Sequence, residues 1–268
     1  MKDIPIASLE NASLRFGTRT LWKQLNLQIL SGEFLAVLGP NGAGKSSLLK
    51  ALLGLQPLSS GTALVGDKPA QAGSQHIGYI PQQKAFDPGM PIRGVDLVRL
   101  GLDGNRWGFG RTKDSRVQGA LQLVHATHFA NKPLGQLSGG EQQRLRIAQA
   151  LIGDPKLLLC DEPLLSLDPA SQQSISGLIH DQCKRGTSVV FVTHEVNPIL
   201  DYVDRILYVV GGKWKVGPPK EILTGKVLSE LYGAPVSVLE AHGRIIVLSD
   251  SLPTEPTEAH HHPSAEDL

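Results

Sequence analysis

A glycine-rich octapeptide near the start of the chain has the residue types and spacing of a phosphate-binding loop. The pattern G-x-x-x-x-G-K-S runs from Gly39 to Ser46, after a short apolar run and before an apolar-periodic segment. The order is therefore strand, loop, helix. Glycines let the loop turn its N–H groups toward a polyphosphate, and the helix N-terminus adds partial positive charge. Lys45 is placed to reach the outer phosphates, and the Ser46 hydroxyl to ligate Mg²⁺. We predict that a nucleoside triphosphate binds with Mg²⁺ at Gly39, Pro40, Asn41, Gly42, Ala43, Gly44, Lys45, Ser46 and Ser47.

A second helix start carries a similar signal. Ser138, Gly139 and Gly140 precede another apolar-periodic segment, which predicts a helix N-terminus able to receive an anion. Glu141 follows Ser138 at the spacing of an S-x-x-E capping box, so Ser138 can also be a structural cap. The two roles are compatible. Two such termini in one chain suggest that they contact the same nucleotide from opposite sides.

Two adjacent carboxylates follow a continuous apolar run typical of a buried parallel strand. Asp161 and Glu162 stand at the carboxyl end of that run, where ligands bind in open α/β sheets. We predict that Asp161 serves Mg²⁺ and that Glu162 polarises the attacking water. His194 ends the next predicted strand and could reach the γ-phosphate. Phe16 ends an early strand, where its ring could stack on a purine base or belong to the core.

Composition narrows the class of protein. The chain has 268 residues, 41% hydrophobic and 19% charged, with a formal net charge of +1. This balance favours an ordinary globular α/β protein and gives nucleic-acid binding no support. Cys160 and Cys183 lack the spacing of a disulfide framework or a zinc site. No stretch approaches the roughly 20 apolar residues of a membrane-spanning helix, so we expect membrane association to come from a partner.

The elements around these residues can be placed from periodicity. Residues from about Ile6 to Phe16 and from Leu25 to Leu30 predict an antiparallel hairpin, and 34–38, 77–80, 156–160 and 188–192 predict further strands. Residues 88–150 predict a helical insertion, with Arg106, Arg111, Lys113 and Arg116 as a basic cluster beside Trp107 and Phe109. We predict three parts: a nucleotide-binding domain at 1–217, a helix and hairpin extension at 218–250, and a disordered tail at 251–268 that contains His260, His261 and His262.

Taken together, these motifs resemble those of the ATP-binding cassette (ABC) transporter ATPases, in the family's order. The matching segments are Walker A at Gly39–Ser46, the Q-loop at Gln82, the LSGGQ signature at Leu137–Gln142, Walker B at Leu157–Glu162, the D-loop at Ser166–Asp168 and the H-loop at His194. Glu141 stands where many members have glutamine, and Phe16 where tyrosine is common.

The resemblance implies a fold and a set of site residues. The fold is a P-loop NTPase parallel-sheet core with an N-terminal antiparallel β subdomain and an inserted α-helical subdomain. The ligands are ATP and Mg²⁺, and each ATP lies between Walker A of one subunit and the signature of another, in a homodimer or heterodimer. Implied catalytic residues are Glu162, His194, Gln82 and Lys45; Phe16, Ser138, Gly139, Gly140 and Asp168 join the nucleotide contacts, and Ser46, Gln82 and Asp161 hold Mg²⁺.

A narrower similarity concerns the cargo. The segments Ile77–Gln82 with Phe86 and Asp87, and Leu231–Gly233 with His242–Arg244, resemble ATPases of zinc and manganese importers. This implies integral membrane permease subunits as partners, a solute-binding protein acting indirectly, and a peripheral location on the cytoplasmic face of the membrane. The alternatives are an ATPase subunit of a transporter for another solute, such as haem or an iron chelate, and an ATPase subunit of an exporter. Two other classes of protein are disfavoured. An ABC protein of DNA repair or translation would need long coiled-coil insertions or a second cassette, and we find neither in this sequence. A nucleotide kinase would lack the signature loop that this sequence contains.

Overall fold

Within the residues that the structure describes, six strands form a central sheet and four form a second, antiparallel sheet. The computed structural model describes residues 5–82, 86–103 and 115–249. The strands are β1 (Ala7–Phe16), β2 (Arg19–Ile29), β3 (Phe34–Leu38), β4 (Ser60–Val65), β5 (Lys68–Pro69), β6 (Ile77–Ile80), β7 (Leu157–Asp161), β8 (Ser188–Val192), β9 (Arg205–Val210), β10 (Lys213–Gly217), β11 (Val236–Ala241) and β12 (Arg244–Ser249).

Helices lie in the connections between some of these strands. They are α1 (Lys45–Leu52), α2 (Gly94–Asp103), α3 (Ser115–Leu123), α4 (Gly139–Leu151), α5 (Pro169–Lys184), α6 (Pro219–Ile222) and α7 (Gly225–Tyr232), with 3-10 turns at Leu134–Gln136 and Leu200–Tyr202. No helix among the described residues has both the length and the apolar character needed to cross a bilayer.

The central sheet has the strand order β10-β9-β3-β8-β7-β6. Strands β9, β3, β8, β7 and β6 run parallel, and β10 pairs antiparallel at one edge. Strands β3, β7 and β8 are buried along their whole length, as expected for a parallel sheet that is covered on both faces. The fold predicted from the sequence is thereby confirmed: a parallel core with an antiparallel sheet and an inserted helical part.

Alternate residues of β3 divide the core into two layers. Phe34, Ala36 and Leu38 face a cluster built with helices α2 to α5, whereas Leu35 and Val37 face α1 and the antiparallel sheet. This follows from the two-residue period of a strand. The phosphate loop therefore leaves a strand that is fixed from both sides.

The antiparallel sheet has the order β2-β1-β4-β5. We predicted that its second strand begins at Leu25, but β2 begins at Arg19. Its pairing with β1 shifts register between Ala12 and Leu14, and the adjacent residues Leu21 and Trp22 are both buried. A shift of this kind breaks the alternation of apolar and polar residues from which strands are predicted.

The remaining predictions concern the ends of the insertion and of the chain. The helices α6 and α7 and the hairpin β11–β12 lie within residues 218–250, the segment from which a helix and a hairpin were predicted. Arg116 lies in α3. The other members of the basic and aromatic cluster, residues 106, 107, 109, 111 and 113, and the histidine tail lie outside the described residues.

Candidate functional site

The parallel strands bring the predicted catalytic segments to one edge of the central sheet. In register, Ile80 of β6 lies opposite Cys160 of β7, and Asp161 lies opposite Val192 of β8. Val37 of β3 lies opposite Val192 as well, so the phosphate loop begins at the same edge. Carboxyl ends of parallel strands are where open α/β sheets bind ligands. Asp161 therefore ends a strand, and Gln82, Glu162 and His194 follow strands, at the edge of the sheet where the phosphate loop begins.

Glycine is required by sterics in the phosphate loop. Gly39 has φ +145°, and a Cβ built on it would lie 2.0 Å from the Val209 carbonyl oxygen. Gly44 caps α1 in the left-handed region, with φ +95° and no side-chain capping bond. The first turn of α1 thus begins without a side chain over its N–H groups, as an anion site requires.

Lys45 lies inside the loop and not on its surface. The residue is 6% exposed, and its Nζ donates to the Gly39 carbonyl at 2.7 Å and to the Pro40 carbonyl at 3.1 Å. Burial lowers the pKa of Lys45, while the charges of Glu162 and Asp161 oppose that shift. The two bonds use two of the three ammonium protons, so the third can serve a phosphate oxygen.

Ser46 and Asp161 are joined, although 115 residues separate them in the chain. The Ser46 hydroxyl donates to Asp161 Oδ1 at 2.9 Å. Burial raises the pKa of Asp161, and the hydrogen bond from Ser46 opposes the shift. A hydroxyl and a buried carboxylate beside a phosphate loop are hard oxygen donors, which is the set that Mg²⁺ takes together with phosphate oxygens and water. The residues present therefore fit the predicted ion. The Gln82 side chain is exposed at this edge, and no bond from it to Ser46 or Asp161 occurs in the described part of the chain.

Glu162 has a constrained backbone. Its φ is +46°, an uncommon conformation for a residue with a side chain, and its N–H donates to the Val192 carbonyl at 3.0 Å. Glu162 Oε2 lies 3.3 Å from His194 Nδ1, with side-chain exposures of 13% and 44% respectively. The structure thus brings the predicted base and the predicted switch histidine into contact.

The N-terminal hairpin reaches the phosphate loop through a residue that sequence analysis missed. Arg19 pairs with Phe16 across the hairpin, and its Nη2 donates to the Gly42 carbonyl at 3.0 Å. The fully buried Trp22 directs its Nε1 toward the Gly44 carbonyl at 3.5 Å. Phe16 itself is 49% exposed, so it lies on the surface of the hairpin and not in the core. Neither Arg19 nor Trp22 belongs to a motif, and the contacts exist only because the two sheets pack together.

The signature segment forms the capping box that its spacing predicted. Ser138 Oγ accepts from the Glu141 N–H at 3.3 Å, and Glu141 Oε2 accepts from the Ser138 N–H at 2.8 Å. The start of α4 lies next to α5, because a Cβ on Gly140 would lie 3.1 Å from Ser171 Oγ. In the described residues no hydrogen bond joins Ser138 to the phosphate loop.

Asp168 has a structural task at the start of α5. Its carboxylate accepts from the Ser171 N–H at 3.0 Å and from the Ser171 hydroxyl. These bonds from Ser171 lower the pKa of Asp168. The predicted D-loop residue is thus the N-cap of α5, next to the start of the signature helix.

The segment that follows Gln82 is attached to the signature helix, a link that the sequence did not indicate. Gln142 is 5% exposed; its Nε2 donates to the Leu134 and Leu137 carbonyls at 3.1 and 3.0 Å, and its Oε1 accepts from the Phe86 N–H at 3.5 Å. The Arg146 guanidinium carbon lies 4.4 Å from the centre of the Phe86 ring. Phe86, four residues beyond Gln82, is therefore in direct contact with α4.

Comparison with known proteins places this geometry in context. The family model described as ABC transporter matches residues 22–165. The manganese transport system ATP-binding protein MntB of Bacillus subtilis is 32% identical over 87% of this chain and 94% of its own length. The hemin import ATP-binding protein HmuV of Pseudomonas aeruginosa is 35% identical over 86% and 93%. The zinc transport system ATP-binding protein TroB of Treponema pallidum is 32% identical over 85% and 87%.

Solved structures of ABC proteins also superimpose on this chain. An ABC transporter assigned to the metal-chelate type, in an inward-facing conformation, superimposes with a TM-score of 0.76 and 30% identity, covering 91% of this chain and 96% of the other. A dimeric ATP-binding cassette bound to ADP and phosphate superimposes with a TM-score of 0.66 and 27% identity, covering 78% and 97%.

Proposed function

Because this chain belongs to the ABC transporter family, we propose that it powers the import of a divalent metal ion, zinc or manganese, as one of a pair of ATPase subunits. The chain is an ABC ATP-binding subunit and hydrolyses ATP to ADP and phosphate. We also propose the division of the chain into an ATPase domain at 1–217, an extension at 218–250 and a tail at 251–268.

The observation that supports the chemistry best is the pair of contacts at the sheet edge, Ser46 with Asp161 and Glu162 with His194. Glu162 orients a water molecule for in-line attack on the γ-phosphate, and His194 holds the Glu162 carboxylate. Lys45 stabilises the charge that develops on the phosphate oxygens. Since Lys45 is buried, its charge acts in a medium of lower effective dielectric constant than water.

Ser46 and Asp161 hold Mg²⁺ in this proposal, with Gln82 beside them. When bound, the ion supplies positive charge that neutralises the β- and γ-phosphates. Asp161 takes part as a carboxylate, and its raised pKa means that protons compete with the ion at a higher pH than for an exposed aspartate.

A second subunit completes the site. Ser138, Gly139 and Gly140 of one copy contact the nucleotide held by residues 39–47 of the other, while Phe16 stacks on the base and Asp168 lies at the interface. The dimeric solved relative supports this arrangement, and so do the Ser138 side-chain bonds, which in the described residues stay within its own capping box. Hydrolysis opens the dimer, and Phe86 passes the motion through Gln142 and Arg146 to the helices that face a permease.

The proposed location is the cytoplasmic face of the membrane, where the chain binds permease subunits and acts indirectly with a solute-binding protein. Manganese and zinc are favoured as cargo because relatives with those names resemble the chain over most of its length. Haem is the second candidate, because HmuV shares 35% identity with this chain.

Substitution of the proposed base tests the ATPase mechanism. Glu162→Gln should keep ATP binding and lower kcat about 10²- to 10⁴-fold, because the amide does not accept the proton of the attacking water. With the γ-phosphate intact, the variant should remain a dimer in ATP on size-exclusion chromatography. Normal turnover by this variant would remove the role of Glu162.

Cellular metal content tests the cargo. Cells that lack the chain should contain less manganese or zinc by mass spectrometry, and the wild-type chain, but not Glu162→Gln, should restore it. Normal metal content with reduced haem uptake would overturn the metal proposal in favour of haem.

A further inference from the structure

The C-terminal hairpin β11–β12 is anchored to the body of the protein at its base. Val236 is buried, and Val238 packs against the main core. Ser229 Oγ in α7 accepts from the Val236 N–H at 2.9 Å and donates to its carbonyl at 3.3 Å. The start of the hairpin is thus fixed by the last helix.

A second attachment lies on the outer edge of β12. Ile245 pairs with Glu240 within the hairpin, and its own N–H and carbonyl both bond to the side chain of Asn197. The N–H donates to Asn197 Oδ1 at 2.8 Å, and Asn197 Nδ2 donates to the Ile245 carbonyl at 3.0 Å. A primary amide carries the same donor and acceptor as a peptide group, so Asn197 pairs with β12 as a residue of a neighbouring strand would.

Asn197 follows His194 by three residues on a segment with few internal degrees of freedom. Thr193 Oγ1 accepts from the Glu195 N–H at 3.1 Å and donates to the Glu195 carbonyl at 3.0 Å. The Ile199 N–H donates to the Val196 carbonyl at 3.0 Å, and both of those side chains are buried. These bonds restrict the backbone on both sides of the short segment that joins His194 to Asn197.

We propose that Asn197 is a positioning residue for ATP hydrolysis, through which the C-terminal hairpin holds His194 against Glu162. The inference rests on the role proposed for His194. Ile245 of the hairpin lies 48 residues beyond Asn197 in the chain and shares no motif with the catalytic edge, yet two hydrogen bonds join it to the segment that bears the histidine. A partner that displaces the hairpin would weaken the contact between His194 and Glu162.

Steady-state kinetics of the purified full-length chain test this. Asn197→Ala should lower kcat for ATP hydrolysis about three- to thirtyfold, because the coupling acts on the chemical step. KM for ATP should change less than about twofold, because the Asn197 side chain bonds to Ile245 and not, among the described residues, to the phosphate loop.

The matched control is Asn26→Ala in β2. The Asn26 amide also makes two backbone hydrogen bonds, accepting from the Asn11 N–H at 2.9 Å and donating to the Gln24 carbonyl at 3.0 Å. This substitution should lower stability to a similar degree and leave kcat unchanged. Equal kcat values for the two variants would overturn the proposal.

Ile245→Pro removes one of these two hydrogen bonds from the hairpin side, the one that the Ile245 N–H donates to Asn197 Oδ1. In the Asn197→Ala background it should have little further effect on kcat, whereas additive losses would contradict a shared route.

Two further measurements distinguish the role proposed for His194 from the positioning role proposed for Asn197. If His194→Ala keeps full activity, the role of His194 fails. If His194→Ala is inactive and Asn197→Ala is unimpaired, only the positioning role fails. Hydrogen exchange should show faster exchange at residues 193–199 in Asn197→Ala than in Asn26→Ala, and an unchanged rate there would contradict transmission through this segment.

Discussion

The N-termini of α1 and α4 carry similar anion-binding signals in the sequence but differ in how their backbone N–H groups are covered. Helix α1 is preceded by Gly44 in the left-handed region, with no side-chain cap. Helix α4 is closed by a complete capping box between Ser138 and Glu141. The first terminus has a buried lysine and a buried carboxylate beside it, whereas Ser138 is exposed.

This difference indicates that the N-termini of α1 and α4 have different roles. Glycine at the cap of α1 leaves donors for a ligand, and the fold must stabilise the loop from outside, through Arg19, Trp22 and the Val209 carbonyl. The cap on α4 makes that terminus stable in the absence of ligand. It also places a carboxylate there, which disfavours an anion. In the proposed dimer we therefore expect the first terminus to bind the nucleotide tightly and the second to add a weaker contact.

Removal of the cap hydroxyl should give the largest effect. Ser138→Ala should lower stability by about 1 kcal/mol through the lost cap. It should lower kcat roughly 10²-fold, through loss of a donor to the γ-phosphate across the dimer. Urea unfolding and phosphate release measure the two effects. Thr224→Ala is the control, since Thr224 caps α7 by accepting from the Val227 N–H. The control should lose similar stability and no activity; equal activities would reduce Ser138 to a structural cap.

Substitution of Asp161, whose carboxylate accepts from Ser46 in α1, should have an intermediate effect. Asp161→Asn should raise the free energy of unfolding at pH 7, without nucleotide, by roughly 1 kcal/mol, because a buried charge is removed while the amide oxygen still accepts from Ser46. Burial raises the pKa of Asp161 above its unfolded value. Its ionisation therefore destabilises the fold as the pH rises between those two pKa values.

The gain from Asp161→Asn should be complete above the raised pKa and vanish in acid below the unfolded pKa. Denaturant titrations at several pH values measure it, and the exposed Asp67→Asn should show no such gain. A loss of stability at pH 7 would show that the site stabilises its charge better than water does.

The charge beside α4 should have the smallest effect. Glu141→Gln keeps an oxygen that can accept from the Ser138 N–H and removes the negative charge. The ATP concentration needed for dimerisation should fall about two- to fivefold, from about 0.3–1 kcal/mol of relieved repulsion. Sedimentation in the Glu162→Gln background measures this without turnover. High salt should reduce the difference, and exposed Glu230→Gln should show none. A higher ATP requirement would mean that Glu141 serves the dimer through its charge.

The features that could be predicted from the sequence are those that depend on residues close together in the chain. The strand, loop and helix around Gly39 depend on neighbouring residues, and so does the capping box at Ser138, so both could be inferred from spacing. The start of β2 could not, because Leu21 and Trp22 are both buried after a register shift. The contacts of Arg19 with Gly42, and of Asn197 with Ile245, join segments that no pattern connects.

The sequence by itself therefore determined the family, the order of the motifs and which residues are predicted to bind phosphate and Mg²⁺, since each depends on residue type and short-range spacing. Only the tertiary structure decided which of them meet. Ser46 reaches Asp161, and Glu162 reaches His194, because parallel pairing of β3, β8 and β7 aligns strand ends that are distant in the chain. Side chains that meet through strand pairing and sheet packing show no regular spacing in the sequence. The number of residues between them depends on the lengths of the intervening loops and helices, which follow no fixed pattern.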